Sequence, residues 1–135
     1  KRDDWSNLMG MWFSKDDGLY CRVENSNDRV SALVPLSKFR EDRYYHVAMT
    51  FDSGTVRAYR NGQFELEKTN GSTTTTPTLS SPWRLANLNE DPDYLPGEFA
   101  EVRMYDRALH DREIHQIYRY GTLGRDLRQL AVEAR

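Results

Sequence analysis

The strongest constraint on this chain is a two-residue alternation of side chains in short segments, each cut off by a turn signal. Leu19, Cys21 and Val23 alternate with Tyr20, Arg22 and Glu24. Tyr45, Val47, Met49 and Phe51 alternate with Tyr44, His46, Ala48 and Thr50. Phe99, Glu101, Arg103 and Tyr105 alternate with Ala100, Val102 and Met104. A period of two sends successive side chains to opposite faces of a pleated strand, so these segments read as half-buried strands. Asp52-Ser53-Gly54 and Asn61-Gly62 supply the punctuation. Asn-Gly in particular accepts the positive φ angles of a type I′ hairpin. Strands are predicted at 8–13, 18–24, 29–36, 44–52, 55–60, 63–69, 83–88 and 97–106. Short strands at this spacing imply an all-β fold, an antiparallel jelly-roll sandwich. Its core should hold Val47, Met49, Phe51, Leu85, Val102 and Met104, with Glu101 and Arg103 facing the other way.

Two stretches break the alternation. Residues 70–82, with four threonines, Pro77 and Pro82, read as a polar loop or a loosely paired edge. Leu109, Ile114, Ile117 and Tyr118 recur at helical spacing, and Gly121 is a natural stop. Beyond it Leu123, Leu127, Leu130, Ala131 and Ala134 form a second apolar stripe, opposite Arg125, Asp126, Arg128 and Glu133. The organisation is therefore a sandwich domain over 1–120, closed by a short helix, and an amphipathic helical tail over 121–135. So short a tail is marginal alone, so its stripe should bury against a neighbouring subunit or the domain's own sheet.

At 135 residues one domain is expected. A hydrophobic share of 38% is too high for a disordered chain. Lys and Arg number 19 against 21 Asp and Glu, a net charge of −2, without the basic surplus of a nucleic-acid binder. No apolar run approaches the roughly 18 residues of a membrane span. The lone Cys21 precludes an internal disulfide and a multi-cysteine zinc site, and reads as a small buried strand residue. The chain opens on Lys1 rather than Met, so residues upstream of it are expected.

Two motifs carry a resemblance. The run from Tyr45-His46-Val47-Ala48-Met49-Thr50-Phe51-Asp52 through Ala58-Tyr59-Arg60-Asn61-Gly62 is similar to the central signature of concanavalin A-like, laminin G-like domains, "W-x-H-V-A-x-T-F-D" followed by "L-Y-x-[DN]-G". The run Gly97-Glu98-Phe99-Ala100-Glu101-Val102-Arg103-Met104-Tyr105-Asp106-Arg107-Ala108-Leu109 resembles their closing "G-x-[IF]-D-E-V-R-I-Y-N-R-A-L". The match spans roughly 8–120, includes the helix Glu113–Tyr118, and leaves the tail outside. Tyr44-Tyr45 stands where the family has tryptophan, Ala100 replaces the first acid, and His110 replaces a capping serine. The resemblance implies opening strands that this chain lacks, supplied upstream or by a partner.

The resemblance implies a non-catalytic module that recognises a glycan or cell-surface ligand at an extracellular or virion surface. The alternative is a structural or decoration protein of a virion or other assembly, anchored through the tail or a strand-completing partner. No catalytic constellation is legible. Ser53 sits in a turn, and His46, His110 and His115 share no ligand spacing with Cys21. Glu65 and Glu67 fall on one face of the 63–69 strand, the placement that superfamily glycosidases give their carboxylates, but without a third acid or an aromatic platform. Calcium is the expected cofactor: residues 87–94 pack three acids and two amides together, and Asn89, Asp91 and Asp93 are the expected ligands. Asp16-Asp17 could form a second such rim, the alternative in both cases being a solvated turn. The expected sugar contacts are Tyr94, Tyr20, Asn89 and Asp91, while Trp12 and Trp83 read as core aromatics.

Overall fold

The computed structural model describes residues 8–25, 28–70 and 97–121. The described elements are β1 (Leu8–Ser14), β2 (Gly18–Glu24), β3 (Arg29–Pro35), a single 3-10 turn (Leu36–Lys38), β4 (Val47–Asp52), β5 (Thr55–Arg60), β6 (Gln63–Thr69) and α1 (Asp111–Tyr120). They make two antiparallel three-stranded sheets, β1-β2-β3 and β4-β5-β6. The sheets pack face to face, with β2 and β3 lying against β5 and β6. The strand at 83–88, Leu85 and the tail beyond Gly121 lie outside the described residues.

Alternation sets the register. Leu19 faces Val34, Cys21 faces Ala32 and Val23 faces Val30 across the β2–β3 ladder. All six are buried, and with Val56 and Ala58 of the second sheet they form the inter-sheet core. Burial pushes the Cys21 thiol up to about 12, which keeps it protonated and inert. Met9, Phe13, Phe39, Val47, Met49, Phe51 and Leu66 pack around this cluster. The apolar phase of β4 thus faces the core, as the alternation predicts. It is half-buried rather than fully enclosed, and among the described residues β4 stands at the edge of its sheet.

Both hairpin turns of the second sheet have the expected geometry. Ser53 and Gly54 sit at φ 47° and 78°, Asn61 and Gly62 at 50° and 74°, the positive pair of a type I′ turn. Gly62 has a second constraint: a Cβ there would lie 2.7 Å from the Cβ of Tyr118. The helix therefore rests directly on the β5–β6 turn, and Tyr59, Leu109 and Ile114 form a second core between them, flanked by Ala48 and Ile117.

The helix is held at its start. The Glu113 carboxylate accepts the His110 backbone N–H at 2.8 Å, which is the glutamate half of a capping box despite the missing serine. Arg107 grips the same carboxylate with two bonds, of 2.9 and 2.7 Å. The helix ends at Tyr120, where the Gly121 N–H donates to the Ile117 carbonyl at 2.7 Å. Ten residues are too few to hold a helix alone, so docking on the sheet maintains it.

Three expectations are corrected. Residues 97–106 form no strand: Phe99, Val102, Met104 and Tyr105 are each at least half exposed. Alternation stabilises a strand only where a neighbouring ladder pairs with it, and among the described residues none does; Arg103 instead bonds Glu101 locally at 2.6 Å. Met104 and Val102 are therefore not core residues. The strand expected from 44 begins at Val47: Tyr45 packs edge-on against Phe39 at 5.1 Å, while Tyr44 is exposed and bonds Glu98. The third correction concerns Glu65 and Glu67, which a β-bulge separates. Ala58 pairs with Leu66 but Tyr59 with Phe64, leaving Glu65 as the extra residue. Glu67 pairs with Arg57 at 2.9 Å; Glu65 turns to Arg60 at 2.8 Å and Lys38 at 3.5 Å.

Candidate ligand-binding site

Of the expected site residues, Tyr20 is described; Asn89, Asp91, Asp93 and Tyr94 lie outside the described residues, as does Trp83. Tyr20 stands on the outer face of the first sheet because its neighbours Leu19 and Cys21 point into the core. The β1–β2 hairpin closes Ser14 onto Gly18, which puts Trp12 opposite Tyr20, and the β2–β3 ladder continues the row to Leu33. The Trp12 and Tyr20 rings stack with centroids 5.3 Å apart and 14° between planes. Trp12 is therefore an outer-face residue and not a core aromatic: Met9 and Phe13, of the opposite phase, take the inward positions.

Polar groups surround this pair. The Arg22 guanidinium lies 4.8 Å from the Trp12 ring centroid and 5.9 Å from that of Tyr20, within cation–π range. Its Nε reaches the Ser31 hydroxyl at 3.5 Å. The Tyr20 hydroxyl donates to the Asp17 carboxylate at 3.1 Å, and that bond raises the phenol's pKa. Ser14 donates to the same Asp17 oxygen at 3.0 Å, so Asp17 serves as the acceptor that ties the hairpin end together. Among the described residues no three His, Cys, Asp or Glu gather as a metal would require, Asp16 and Asp17 included.

The other side of the sandwich carries a concavity. An open cleft of about 480 Å³ runs between the β5–β6 turn and α1, lined among others by Phe64, Arg112, His115, Gln116, Arg119 and Tyr120. Sequence reasoning missed it because β-turn and helix are far apart in the chain. The available signal was the helical spacing of Arg112, His115 and Arg119. Next to it, His46 is half-buried beneath α1, its ring 5.8 Å from that of Tyr118. Burial lowers its pKa, with the Arg103 charge acting in the same direction and Glu101 against it.

Two antiparallel three-stranded sheets packed face to face, with one short helix after them, make a β-sandwich. The chain belongs to one family of that kind: residues 3–115 match the laminin G model of the concanavalin A-like lectin/glucanases superfamily. No curated protein sequence matches the chain. A similar solved structure is that of an S-layer domain-containing protein (residues 221–444) from Clostridium thermocellum, at 20% identity and a TM-score of 0.42. The alignment covers 87% of this chain and 66% of that one.

Proposed function

We propose that the chain is a non-catalytic binding module of an extracellular or virion surface, recognising a glycan or cell-surface ligand through the outer face of its first sheet. The observation that carries this reading is the stacked Trp12–Tyr20 pair on a sheet face whose other side is already satisfied by the core. A sugar ring offers an apolar C–H face rimmed by hydroxyls. The aromatic row suits the first, and Arg22, Ser31 and Asp17 suit the second. Tyr94, Asn89 and Asp91 extend the same reading from the sequence alone. The non-catalytic part is supported by Glu65 and Glu67, each tied to an arginine and separated by the bulge. Calcium at Asn89, Asp91 and Asp93 belongs to the reading too, supported by the acid-rich 87–94 sequence. The ion should raise the melting temperature by mass action, and an unchanged transition across millimolar calcium removes it.

A glycan array followed by calorimetry tests the reading. Trp12→Ala and Tyr20→Ala should each weaken binding by roughly tenfold or more, the order that loss of a stacked ring costs. A folded chain that binds no glycan turns the reading to its alternative, a structural or decoration protein of a virion or other surface assembly. What favours that alternative is the exposed apolar run of Phe99, Val102, Met104 and Tyr105, which a partner would cover. Sedimentation of the purified chain then shows self-association, or insolubility without the partner.

A further inference from the structure

We infer that the cleft between the β5–β6 turn and α1 is a docking groove for an acidic peptide segment that carries an apolar side chain beside its carboxylates. The cleft carries positive charge that no carboxylate within 4.0 Å compensates among the described residues. Arg22, Arg57, Arg60, Arg103 and Arg107 each have a carboxylate within 4.0 Å. Arg112 and Arg119, both lining the cleft, have none among the described residues, as Arg29, Arg40 and Arg43 elsewhere have none; Arg119 lies 5.8 Å from the Tyr120 ring centroid, and His115 stands between the two. The one carboxylate of the lining, Asp111, already accepts the Tyr59 hydroxyl at 2.8 Å and lies 4.0 Å from Arg57. The groove therefore presents cations and little that neutralises them.

Spacing and shape point the same way. Residues three and four apart share a helix face, so Arg112, His115, Gln116 and Arg119 form one row. At 1.5 Å of rise per residue the two guanidiniums originate about 10 Å apart, the reach of about three residues of an extended chain. An open groove with a linear row of cations suits an extended ligand better than a compact anion. Phe64 and Tyr120 flank that row, 48% and 61% exposed. Such apolar surface has no use for a uniformly anionic sugar but would seat a leucine or phenylalanine side chain. This groove lies on the opposite side of the sandwich from Trp12 and Tyr20, so it stands independently of the glycan reading.

The test uses the 135-residue chain and a fluorescent synthetic peptide with glutamates flanking a leucine, read by anisotropy. The expected result is saturable binding that weakens with salt and falls about tenfold or more in the Arg112→Gln/Arg119→Gln double variant. Phe64→Ser should weaken it less, and Trp12→Ala should leave it unchanged. Both arginines are exposed, so the double variant should melt as the parent does. Equal binding of a lysine-for-glutamate peptide, or undiminished binding by the double variant, overturns the inference. So does displacement of the peptide by a sulfated oligosaccharide that binds more tightly, which would transfer the groove to glycans. A concentration-dependent dimer lost in the double variant assigns it to a second copy of the chain and likewise overturns the peptide.

Discussion

The two outer faces of the sandwich start from the same pattern and reach opposite ends. On the first sheet the outward phase of β1 and β2 places Trp12, Tyr20 and Arg22 on a partly exposed surface. On the second sheet the outward phase of β4 and β5 places Ala48 and Tyr59 beneath α1, where Tyr59 is fully buried, and Thr50 of the same phase is buried too. Alternation alone is the same in both. What differs is a ten-residue helix seated on the β5–β6 turn. A large aromatic under a helix is a core residue that holds the fold together. The same kind of residue on a sheet face that no described element covers keeps part of its surface in water.

The largest expected effect tests that contrast directly. Tyr59→Ala should cost about 3–5 kcal/mol in denaturant unfolding, the usual range for emptying a buried aromatic site. Trp12→Ala removes a bigger side chain, yet should cost less than Tyr59→Ala, because Trp12 keeps part of its surface in water. Equal losses from the two would mean that the first sheet's outer face is covered as well, and the ligand platform would be lost with it.

How much of this was legible in the sequence follows the same division. The inward phases of β2, β3 and β4 were readable because each apolar run repeats with period two and a hairpin turn of known geometry fixes its neighbour. The fate of an outward phase was not readable, since it depends on what covers it. Trp12 looked like core by residue type, although the Ser14–Gly18 closure already set it opposite the outward Tyr20. Val102 and Met104 failed for a related reason: their alternation is real, but a strand needs a ladder partner that a single segment does not specify. The Glu65–Glu67 error came from one inserted residue, which moves a side chain to the other face without altering composition. Of the expected site residues, the outward direction of Tyr20 was legible. The cleft was not, since it exists only where the helix meets the turn.

Gly62→Ala probes the contact that lets the helix cover its sheet. The residue sits at φ 74°, a conformation that side chains other than glycine adopt at a cost, and the new methyl would meet Tyr118. A loss of about 1–3 kcal/mol is expected. Backbone strain alone would leave the helix in place; displacement by Tyr118 would also expose Tyr59 and raise hydrogen exchange across β5. Faster exchange confined to the turn would show that the helix does not depend on that close approach. A smaller change, Tyr59→Phe, removes only the hydroxyl that bonds Asp111 at 2.8 Å. Its cost should be about 1 kcal/mol, the net worth of one hydrogen bond.

The smallest effect is expected from the clamp at the start of the helix. Arg107, and after it the His110 N–H, hold the Glu113 carboxyl down at about 2, below its ordinary value of 4.5. A carboxylate whose folded pKa is depressed favours the folded state above its unfolded pKa, and that contribution fades as pH falls toward the folded value. The window therefore runs from about pH 4.5 down to about pH 2. Other acids titrate there too, so the readout is the difference between the parent and Glu113→Gln across that range. The parent should be the more stable at neutral pH, and the gap should close on acidification. The pair is on the surface, where solvent screens it, so the gap should also shrink in high salt. Because the clamp acts on the helix, acid should loosen exchange protection over Tyr59 before it changes the fluorescence of Trp12 on the opposite face. Two stability curves that stay parallel down to pH 2 would show that Arg107 and Glu113 are neighbours without consequence, and that packing on Tyr59 and Ile114 alone keeps the second face covered.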